Sequence, residues 1–146
     1  MATILVLNGP NLNLLGTRQP EIYGRATLAD IAALRVAAAG GHRIDFRQTH
    51  HEGEMLGWVH AAIGSGEAGA GGIVVNAGAW THTSVALLDA LKAYEGLVYE
   101  VHISNIHRRE PFRHHSYVSG RADGVIVGFG VEGYAMAVRR MAELLA

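Results

Sequence analysis

The sequence has 146 residues, of which 49% are hydrophobic and 17% charged, with a formal net charge of −1 and no cysteine. This composition is typical of one globular domain, expected to span residues 1–146, and it excludes a disordered chain. Without a basic excess, neither a nucleic acid nor a membrane surface is an expected partner. The lack of cysteine excludes disulfides, thiolate metal sites and a thiol nucleophile, which fits a cytoplasmic location.

The first apolar segment is only a few residues long and has no basic flank or cleavage pattern. It is too short for a signal peptide or a membrane span, so a buried strand is predicted there. Four further short runs rich in Val, Ile and Leu also predict strands. The five predicted strands are Thr3–Leu7, Arg43–Arg47, Ile73–Asn76, Leu97–Val101 and Gly124–Val127.

Helical spacing of apolar residues predicts a helix in each interval between strands and one after the last. A capping box, with Thr27 and Asp30 at its ends, marks the start of the first helix. The alternation of strands and helices predicts an α/β fold, a flavodoxin-like doubly wound five-stranded parallel sheet in the order 2-1-3-4-5. The four predicted helices are Thr27–Ala39, Glu54–Ser65, Ser84–Tyr94 and Val131–Leu145.

Three polar loops follow the first, third and fourth strands, at Asn8–Gly24, Asn76–Ser84 and His102–Ser116. In a doubly wound sheet, ligands bind beyond the carboxyl ends of the strands, where these loops are expected to meet. The first loop is far longer than the usual connection of about 2–6 residues. Its prolines and glycines predict an ordered turn followed by a mobile arm that carries Arg18 and Tyr23.

Two other motifs are weak. Gly128–Gly133 matches G-x-G-x-x-G, but the residues after it contain no further strand pattern and no acidic residue about 20 positions on. These glycines are therefore predicted to permit close packing of a helix on the sheet. The adjacent histidines at His50–His51 and His114–His115 point in different directions on a regular element, so no metal site is expected.

The three loops combine two kinds of proton carrier, histidine and tyrosine, with two arginines and neutral hydrogen-bonding side chains. They lack a Ser–His–acid order, a carboxylate pair and a cysteine, which favours proton transfer over nucleophilic catalysis. The guanidinium fork matches a carboxylate, so a small, anionic, hydroxylated ligand is expected. The set comprises Asn11, Arg18, Tyr23, Asn76, His82, His102, Ser104 and Arg113.

Each of these residues also has an ordinary structural interpretation when it is taken alone. Their joint occurrence in loops at one edge of the sheet favours a functional site. The alternatives are a packing role for Tyr23, a solvated charge for Arg18, a backbone cap for His102, a surface ion pair with Glu110 for Arg113, and a cap on the helix near Thr83 for His82.

Four long segments carry more specific motifs. They are N-G-P-N-L-N-L-L-G-x-R-x-P-x-x-Y-G (Asn8–Gly24), N-A-G-A-W-T-H-T-S (Asn76–Ser84), E-V-H-I-S-N-I-H-x-R-E-x-F-R-H-H-S (Glu100–Ser116) and G-V-I-x-G-x-G-x-x-G-Y (Gly124–Tyr134). In register and in order over nearly the whole chain, these segments strongly resemble the type II dehydroquinases of the shikimate pathway. The resemblance implies a reversible anti elimination of water from 3-dehydroquinate to 3-dehydroshikimate through an enolate, without metal or cofactor.

The same resemblance implies roles for individual residues. Tyr23 is similar to the family's general base, Arg18 to the residue that activates it, and His102 to the general acid. Asn11 is similar to the residue that holds the tyrosine and histidine region in place. Because tyrosine ordinarily ionises near pH ~10, a phenol needs a neighbouring cation to act as a base at neutral pH.

The remaining positions implied by the resemblance bind substrate: Asn76, His82, Asp89, Ile103, Ser104 and Arg113. Asp89 would reach the substrate of a neighbouring subunit, in a homo-dodecamer built as four trimers. The sequence departs from the family pattern at Leu14, where some relatives carry arginine, and at Leu88, a position that is often basic in the family. The rival hypotheses are a flavodoxin-like module that binds a flavin or a phosphorylated ligand, and an assembly protein that has lost its activity.

Overall fold

The computed structural model describes residues 1–64 and 69–145, with the backbone alone for residues 35 and 36. Five parallel strands form one sheet in the order β2-β1-β3-β4-β5. This arrangement confirms the predicted flavodoxin-like order, and each strand lies within one residue of its predicted bounds. The strands are β1 Thr3–Asn8, β2 Arg43–Gln48, β3 Gly72–Asn76, β4 Leu97–His102 and β5 Gly124–Val127.

Four long helices match the four predicted ones, and a short helix lies inside the first predicted loop. The predicted end of one helix, Ser65, is outside the described residues; that helix ends at Ala62, just before Gly64, and glycine is a poor helix former. No helix in the described ranges is long and apolar enough to cross a membrane. The helices are α1 Pro20–Tyr23, α2 Leu28–Ala38, α3 Glu52–Ala62, α4 Val85–Ala93 and α5 Glu132–Leu145.

Side chains cap the starts of α2 and α4. The Asp30 amide donates to the Thr27 hydroxyl and the Thr27 amide donates to the Asp30 carboxylate, at 3.2 and 2.9 Å, which confirms the capping box. At the start of α4, the Ser84 hydroxyl accepts from the amide of Leu87 at 2.9 Å. These caps fix where α2 and α4 leave the sheet edge.

The two faces of the sheet are buried against different helix pairs. Successive side chains of β1 alternate between the faces: Ile4 packs with α2 and α5, whereas Leu5 packs with α3 and α4. Full burial of one such aliphatic side chain stabilises the fold by about 1.5–3 kcal/mol. Because β1, β3 and β4 are covered on both sides, their carboxyl ends are firmly placed, and the loops after them begin from a rigid base.

Two glycines are required where backbone or helix comes close to the sheet. A Cβ on Gly9 would lie 2.2 Å from the carbonyl oxygen of Ala77, so the loops that follow β1 and β3 touch only because residue 9 has no side chain. A Cβ on Gly133 would lie 3.2 Å from side-chain atoms of Ile126 and Val101. The packing interpretation of the G-x-G-x-x-G motif is therefore confirmed at Gly133.

Candidate active site

A cavity of about 200 Å³ opens at the carboxyl ends of β1, β3 and β4, where the sequence predicts the site. All the predicted site residues line it except Asp89. The lining comprises Pro10, Asn11, Leu12, Arg18, Tyr23, Asn76, Gly78, Ala79, His82, His102, Ile103, Ser104, Ile106, Arg109 and Arg113. The structure therefore brings together polar groups that are up to about a hundred residues apart in the chain.

The first loop is ordered by local features that the sequence only partly reveals. Asn11 adopts a left-handed conformation at φ 68° and begins a 3₁₀ turn at Leu12–Leu14. Pro20 then occupies the first turn of α1, where its missing N–H costs nothing. Gly24, at φ 78°, ends the helix immediately after Tyr23. Four residues of helix thus set the direction of the tyrosine within a segment predicted as loop.

The half-buried Tyr23 ring lies beside two guanidinium groups. The Cζ atom of Arg18 is 5.1 Å from the ring centroid, and the Cζ atom of Arg109 is 5.2 Å away. Two cations at this distance attract the ring electrons, and they attract a phenolate more strongly. Arg109 is a site residue that the sequence reasoning missed, although it stands inside the motif that follows β4.

His102, the last residue of β4, is hydrogen-bonded to Glu100, two residues earlier in the same strand. The two residues share one face of the strand, and the Nε2 atom of His102 bonds the Glu100 carboxylate. The carboxylate also accepts hydrogen bonds from the hydroxyls of Ser116 at 2.7 Å and Ser119 at 2.6 Å. The backbone-cap alternative for His102 is therefore wrong. The sequence signal was an acidic residue two positions before a histidine in an apolar strand.

The charge state of Glu100 follows from these bonds. Burial alone raises the pKa of the Glu100 carboxyl, because water no longer solvates the charge. The hydrogen bonds and the charge of His102, with the two serine hydroxyls, outweigh burial and hold that pKa below its ordinary value. Glu100 is thus an ionised carboxylate that attracts the protonated form of the imidazole next to the cavity.

Asn76 ends β3 and lines the cavity from the sheet side. It is buried, and its Nδ2 donates to the hydroxyl of Tyr134 at 2.9 Å. Its Oδ1 accepts from the amide of Gly78 at 3.2 Å. The Tyr134 hydroxyl in turn donates to Oδ1 of Asn8 at 2.7 Å. Tyr134 and Asn8 were not predicted as site residues, because each lies in a buried element and reaches the cavity only through Asn76.

His82 faces the cavity from the end of a 3₁₀ turn at Gly78–His82. Its Nδ1 lies 2.8 Å from the carbonyl oxygen of His115, which only accepts, so Nδ1 carries the proton. Burial lowers the pKa of His82 and favours the neutral ring, leaving Nε2 as an acceptor. The helix-cap alternative for His82 is wrong, because Ser84 caps α4.

The segment after β4 supplies two of the three arginines that line the cavity, Arg109 and Arg113. Arg113 lines the cavity, and its Nε donates to Glu110 at 3.2 Å, so the predicted ion pair and the predicted site position hold together. Nη1 of Arg109 donates to the Ser104 hydroxyl at 3.4 Å. Ile103 and Ser104 directly follow His102 and continue the same wall.

Asp89 lies on the exposed side of α4 and does not line this cavity. That position is compatible with the predicted reach toward a neighbouring subunit. A second, larger recess of about 420 Å³ lies along the edge strand β2, between Arg47 and Trp58 among others. It holds none of the predicted site residues, and its Arg47 guanidinium is paired with Asp45 at 3.0 Å, so chemistry is assigned to the smaller cavity.

Comparison with known proteins agrees with this geometry. The family model described as dehydroquinase class II matches residues 2–142. A 3-dehydroquinate dehydratase of Streptomyces coelicolor is 62% identical over 146 residues, covering 98% of this chain and 90% of that protein. A 3-dehydroquinate dehydratase 2 of Agrobacterium fabrum is 57% identical over 148 residues, covering 100% of this chain and 98% of that protein.

Solved structures give the same result for the fold. The crystal structure of type II dehydroquinase from Propionibacterium acnes superposes with a TM-score of 0.90 at 43% identity, covering 98% of this chain and 97% of that one. The corresponding structure from Butyrivibrio crossotus gives a TM-score of 0.89 at 38% identity, covering 96% and 97%. Sequence, fold and site geometry agree: the chain belongs to the class II dehydroquinase family.

Proposed function

We propose that this chain is a 3-dehydroquinate dehydratase, a hydro-lyase that reversibly removes water from 3-dehydroquinate in the anti sense to give 3-dehydroshikimate. The observation that carries the proposal is the convergence of Tyr23, its two arginines and His102 on one cavity. A base and an acid on different elements suit an elimination in which a proton and a hydroxide leave from opposite sides.

The substrate carboxylate and hydroxyls meet complementary groups in this cavity. Arg113 offers a guanidinium fork for the carboxylate, and Ile103 and Ser104 line the same cavity. His82 presents the acceptor Nε2 to a substrate hydroxyl. Binding through several fixed groups orients the substrate before any proton moves, which lowers the entropic part of the barrier.

Tyr23 is the proposed general base, and it removes the proton next to the substrate carbonyl. A phenol is a weak base at neutral pH unless the phenolate is stabilised. The guanidiniums of Arg18 and Arg109, both within about 5 Å of the ring, provide that stabilisation. Exclusion of water by bound substrate strengthens both attractions. Asn11 lines the same cavity and is proposed to hold the tyrosine and histidine region in place.

His102 is the proposed general acid, which gives a proton to the departing hydroxide. Nε2 is occupied by Glu100, so Nδ1 is the atom that donates toward the cavity. The Glu100 carboxylate orients the ring and stabilises the imidazolium, as an acidic residue does behind many catalytic histidines. The Asn76 amide lines the same cavity and is proposed to bind substrate by donating a hydrogen bond to one of its oxygens.

The reaction balances without a further reagent. The carbon–hydrogen bond breaks to Tyr23, the electron pair passes through the enolate, and the carbon–oxygen bond breaks as His102 protonates the hydroxide. We propose that the chain carries out this reaction as a single catalytic domain, without metal or cofactor. It would act in the shikimate pathway, in the cytoplasm. By the family resemblance, a homo-dodecamer of four trimers, with Asp89 reaching a neighbouring site, completes the proposal.

The test follows the absorbance of the conjugated enone product. Purified protein is mixed with 3-dehydroquinate in the presence of a chelator, and an ultraviolet absorbance rise is expected. No rise at any protein concentration would remove the assignment. Phosphate or flavin affinity in that case would favour the binding-module alternative instead.

A further inference from the structure

A buried chain of hydrogen bonds runs from the cavity across the sheet to β2. Asn76 Nδ2 donates to Tyr134 Oη at 2.9 Å, Tyr134 Oη donates to Asn8 Oδ1 at 2.7 Å, and Asn8 Nδ2 donates to the carbonyl oxygen of Arg47 at 3.1 Å. Asn8 and Asn76 are register partners at the ends of β1 and β3. Tyr134 and Asn8 are 0% exposed and Asn76 4%, so water cannot replace these partners.

The direction of every hydrogen bond in this series is fixed by the last acceptor, the carbonyl oxygen of Arg47. A carbonyl oxygen only accepts, so the amide of Asn8 must turn its NH₂ to Arg47 and its oxygen to Tyr134. The Tyr134 hydroxyl has one proton, which it donates in the hydrogen bond to Asn8, so the hydroxyl must accept from Asn76. Asn76 is therefore held with its NH₂ toward Tyr134 and its oxygen toward Gly78.

This orientation leaves one polar hydrogen without a partner. One Nδ2 hydrogen of Asn76 goes to Tyr134, and the side-chain oxygen accepts from the Gly78 amide. Within residues 1–64 and 69–145, no second acceptor for Nδ2 is present, and Asn76 lines the cavity. The unpaired N–H is the group that a cavity ligand can meet. A flipped amide would offer an acceptor in its place.

Tyr134 is suited to this task by its surroundings. Burial raises the pKa of its hydroxyl far above the ordinary range, so the group keeps its proton and always donates to Asn8. The preceding Gly133 lets α5 approach the sheet closely, which places the phenol between the ends of β1 and β3. The glycine motif thus serves the site indirectly, through the residue that follows it.

We infer that Tyr134 is a positioning residue that, with Asn8, locks the Asn76 amide so that a hydrogen-bond donor, not an acceptor, faces an oxygen of the substrate. The inference rests on the proposed function for the identity of that substrate. The orientation of the amide itself is independent of it.

The kinetic test compares Tyr134→Phe with Tyr94→Phe. Tyr94 is an equally buried tyrosine whose hydroxyl donates to the Ala70 carbonyl at 2.7 Å on the other face of the sheet. For Tyr134→Phe we expect KM for 3-dehydroquinate to rise about three- to tenfold, the value of one hydrogen bond, with kcat within about twofold. Tyr94→Phe is expected to leave both constants unchanged, although it too loses a buried hydrogen bond.

A double-mutant cycle separates positioning from general loosening of the fold. If Tyr134 acts through the amide, Tyr134→Phe adds no further rise in KM once Asn76→Ala has removed that amide. Additive effects in the cycle, or equal KM changes in Tyr134→Phe and Tyr94→Phe, would overturn the inference.

Neutron diffraction of the unmodified, deuterium-exchanged protein tests the lock without any variant or turnover. The expected map places the Tyr134 hydroxyl deuterium toward Asn8 and one Asn76 Nδ2 deuterium toward Tyr134, with the other in the cavity. A Tyr134 deuterium directed at Asn76 would refute the lock. Because this arm needs no activity, a protein that is locked but inactive would refute the proposed function and leave the lock standing.

Discussion

The two sides of the cavity are built in different ways. The side formed by β4 holds His102 through a buried carboxylate that two serine hydroxyls also bind. The side formed by the first loop holds the half-buried Tyr23 through contacts of its ring with Arg18 and Arg109, and among the described residues no hydrogen bond to its hydroxyl is found. Hydrogen bonds demand direction, whereas a cation near a ring tolerates displacement. The proposed acid is therefore held in a fixed direction, whereas the proposed base is positioned mainly by charge.

The loss of the Tyr23 hydroxyl is expected to have the largest effect. Tyr23→Phe removes the proposed base but keeps the ring that packs on the core, so turnover falls on the order of 10³–10⁴-fold while the fold persists. The measurement is kcat from product absorbance, with thermal unfolding as the check on folding. Tyr99→Phe, a half-buried tyrosine outside the cavity, is the matched control. Near-normal turnover of Tyr23→Phe would remove the tyrosine from the mechanism.

Glu100→Gln probes the fixed side. The neutral amide no longer stabilises the imidazolium of His102, so kcat is expected to fall on the order of 100-fold, at the lower end of what acid catalysis contributes. Unfolding free energy at neutral pH should drop by about 1–3 kcal/mol, because a charge-assisted network is weakened. Unchanged kcat would show that the carboxylate does not act on the histidine.

Glu100→Gln is also expected to change how the unfolding free energy depends on pH. The pKa of Glu100 is lowered in the folded protein, so the folded state binds fewer protons than the unfolded chain near and below the ordinary value of about 4.5. The stability that Glu100 contributes is full above that pH and is lost as pH falls through the folded pKa. The unfolding free energy, measured with denaturant at several pH values from 7 to 3, should therefore fall less steeply with pH for Glu100→Gln than for the unmodified protein. Equal slopes would contradict the assigned charge.

Arg109→Met tests the side of the cavity formed by the first loop, and its expected effect on kcat is smaller. It removes one of two cations near the Tyr23 ring and keeps much of the side-chain volume, so kcat is expected to fall about tenfold. Arg108→Met, the exposed neighbour outside the cavity, is the control and should be close to unmodified protein. Equal losses in the two variants would indicate a general effect of net charge.

The smallest effect is expected at Leu14, a residue of the first loop. This side chain is 43% exposed and is absent from the cavity lining, so Leu14→Arg should change kcat/KM by no more than about twofold. The neighbouring Leu15 is buried at 5%, and Leu15→Arg is expected to unfold the first loop by burying a charge. A large kinetic effect of Leu14→Arg would mean that the loop contacts substrate through this position.

Sequence patterns predicted the sheet well because its strands are short apolar runs between turn residues. The strand bounds differ from prediction by at most one residue, and the extra residues are the polar ends Asn8, Gln48 and His102, together with Gly72 at a start. Pairing with a neighbouring strand continues through these positions, whereas apolar periodicity stops before them. Helix α1 was missed because four residues are too few for a periodic signal.

Most residues that line the cavity were predicted, whereas Glu100 and Tyr134, which act through His102 and Asn76, were missed. Arg109 lines the cavity itself, but its contact with the Tyr23 ring is a tertiary contact that no local pattern encodes. Glu100 left a faint signal, an acid two positions before His102 in an apolar strand. Tyr134 ends the motif Gly124–Tyr134, but a buried tyrosine on a helix is ordinarily a core residue, so that motif did not mark it as part of the site.

The most direct test of the division between a guided base and a fixed acid is proton exchange without elimination. In deuterium oxide, His102→Ala should still exchange the 3-dehydroquinate hydrogen next to the carbonyl, since Tyr23 forms the enolate, while product appears on the order of 100-fold more slowly. Tyr23→Phe should neither exchange that hydrogen nor form product. The exchange is measured from the nuclear magnetic resonance signal of that substrate hydrogen. Exchange by Tyr23→Phe at the rate of the unmodified protein would contradict the account.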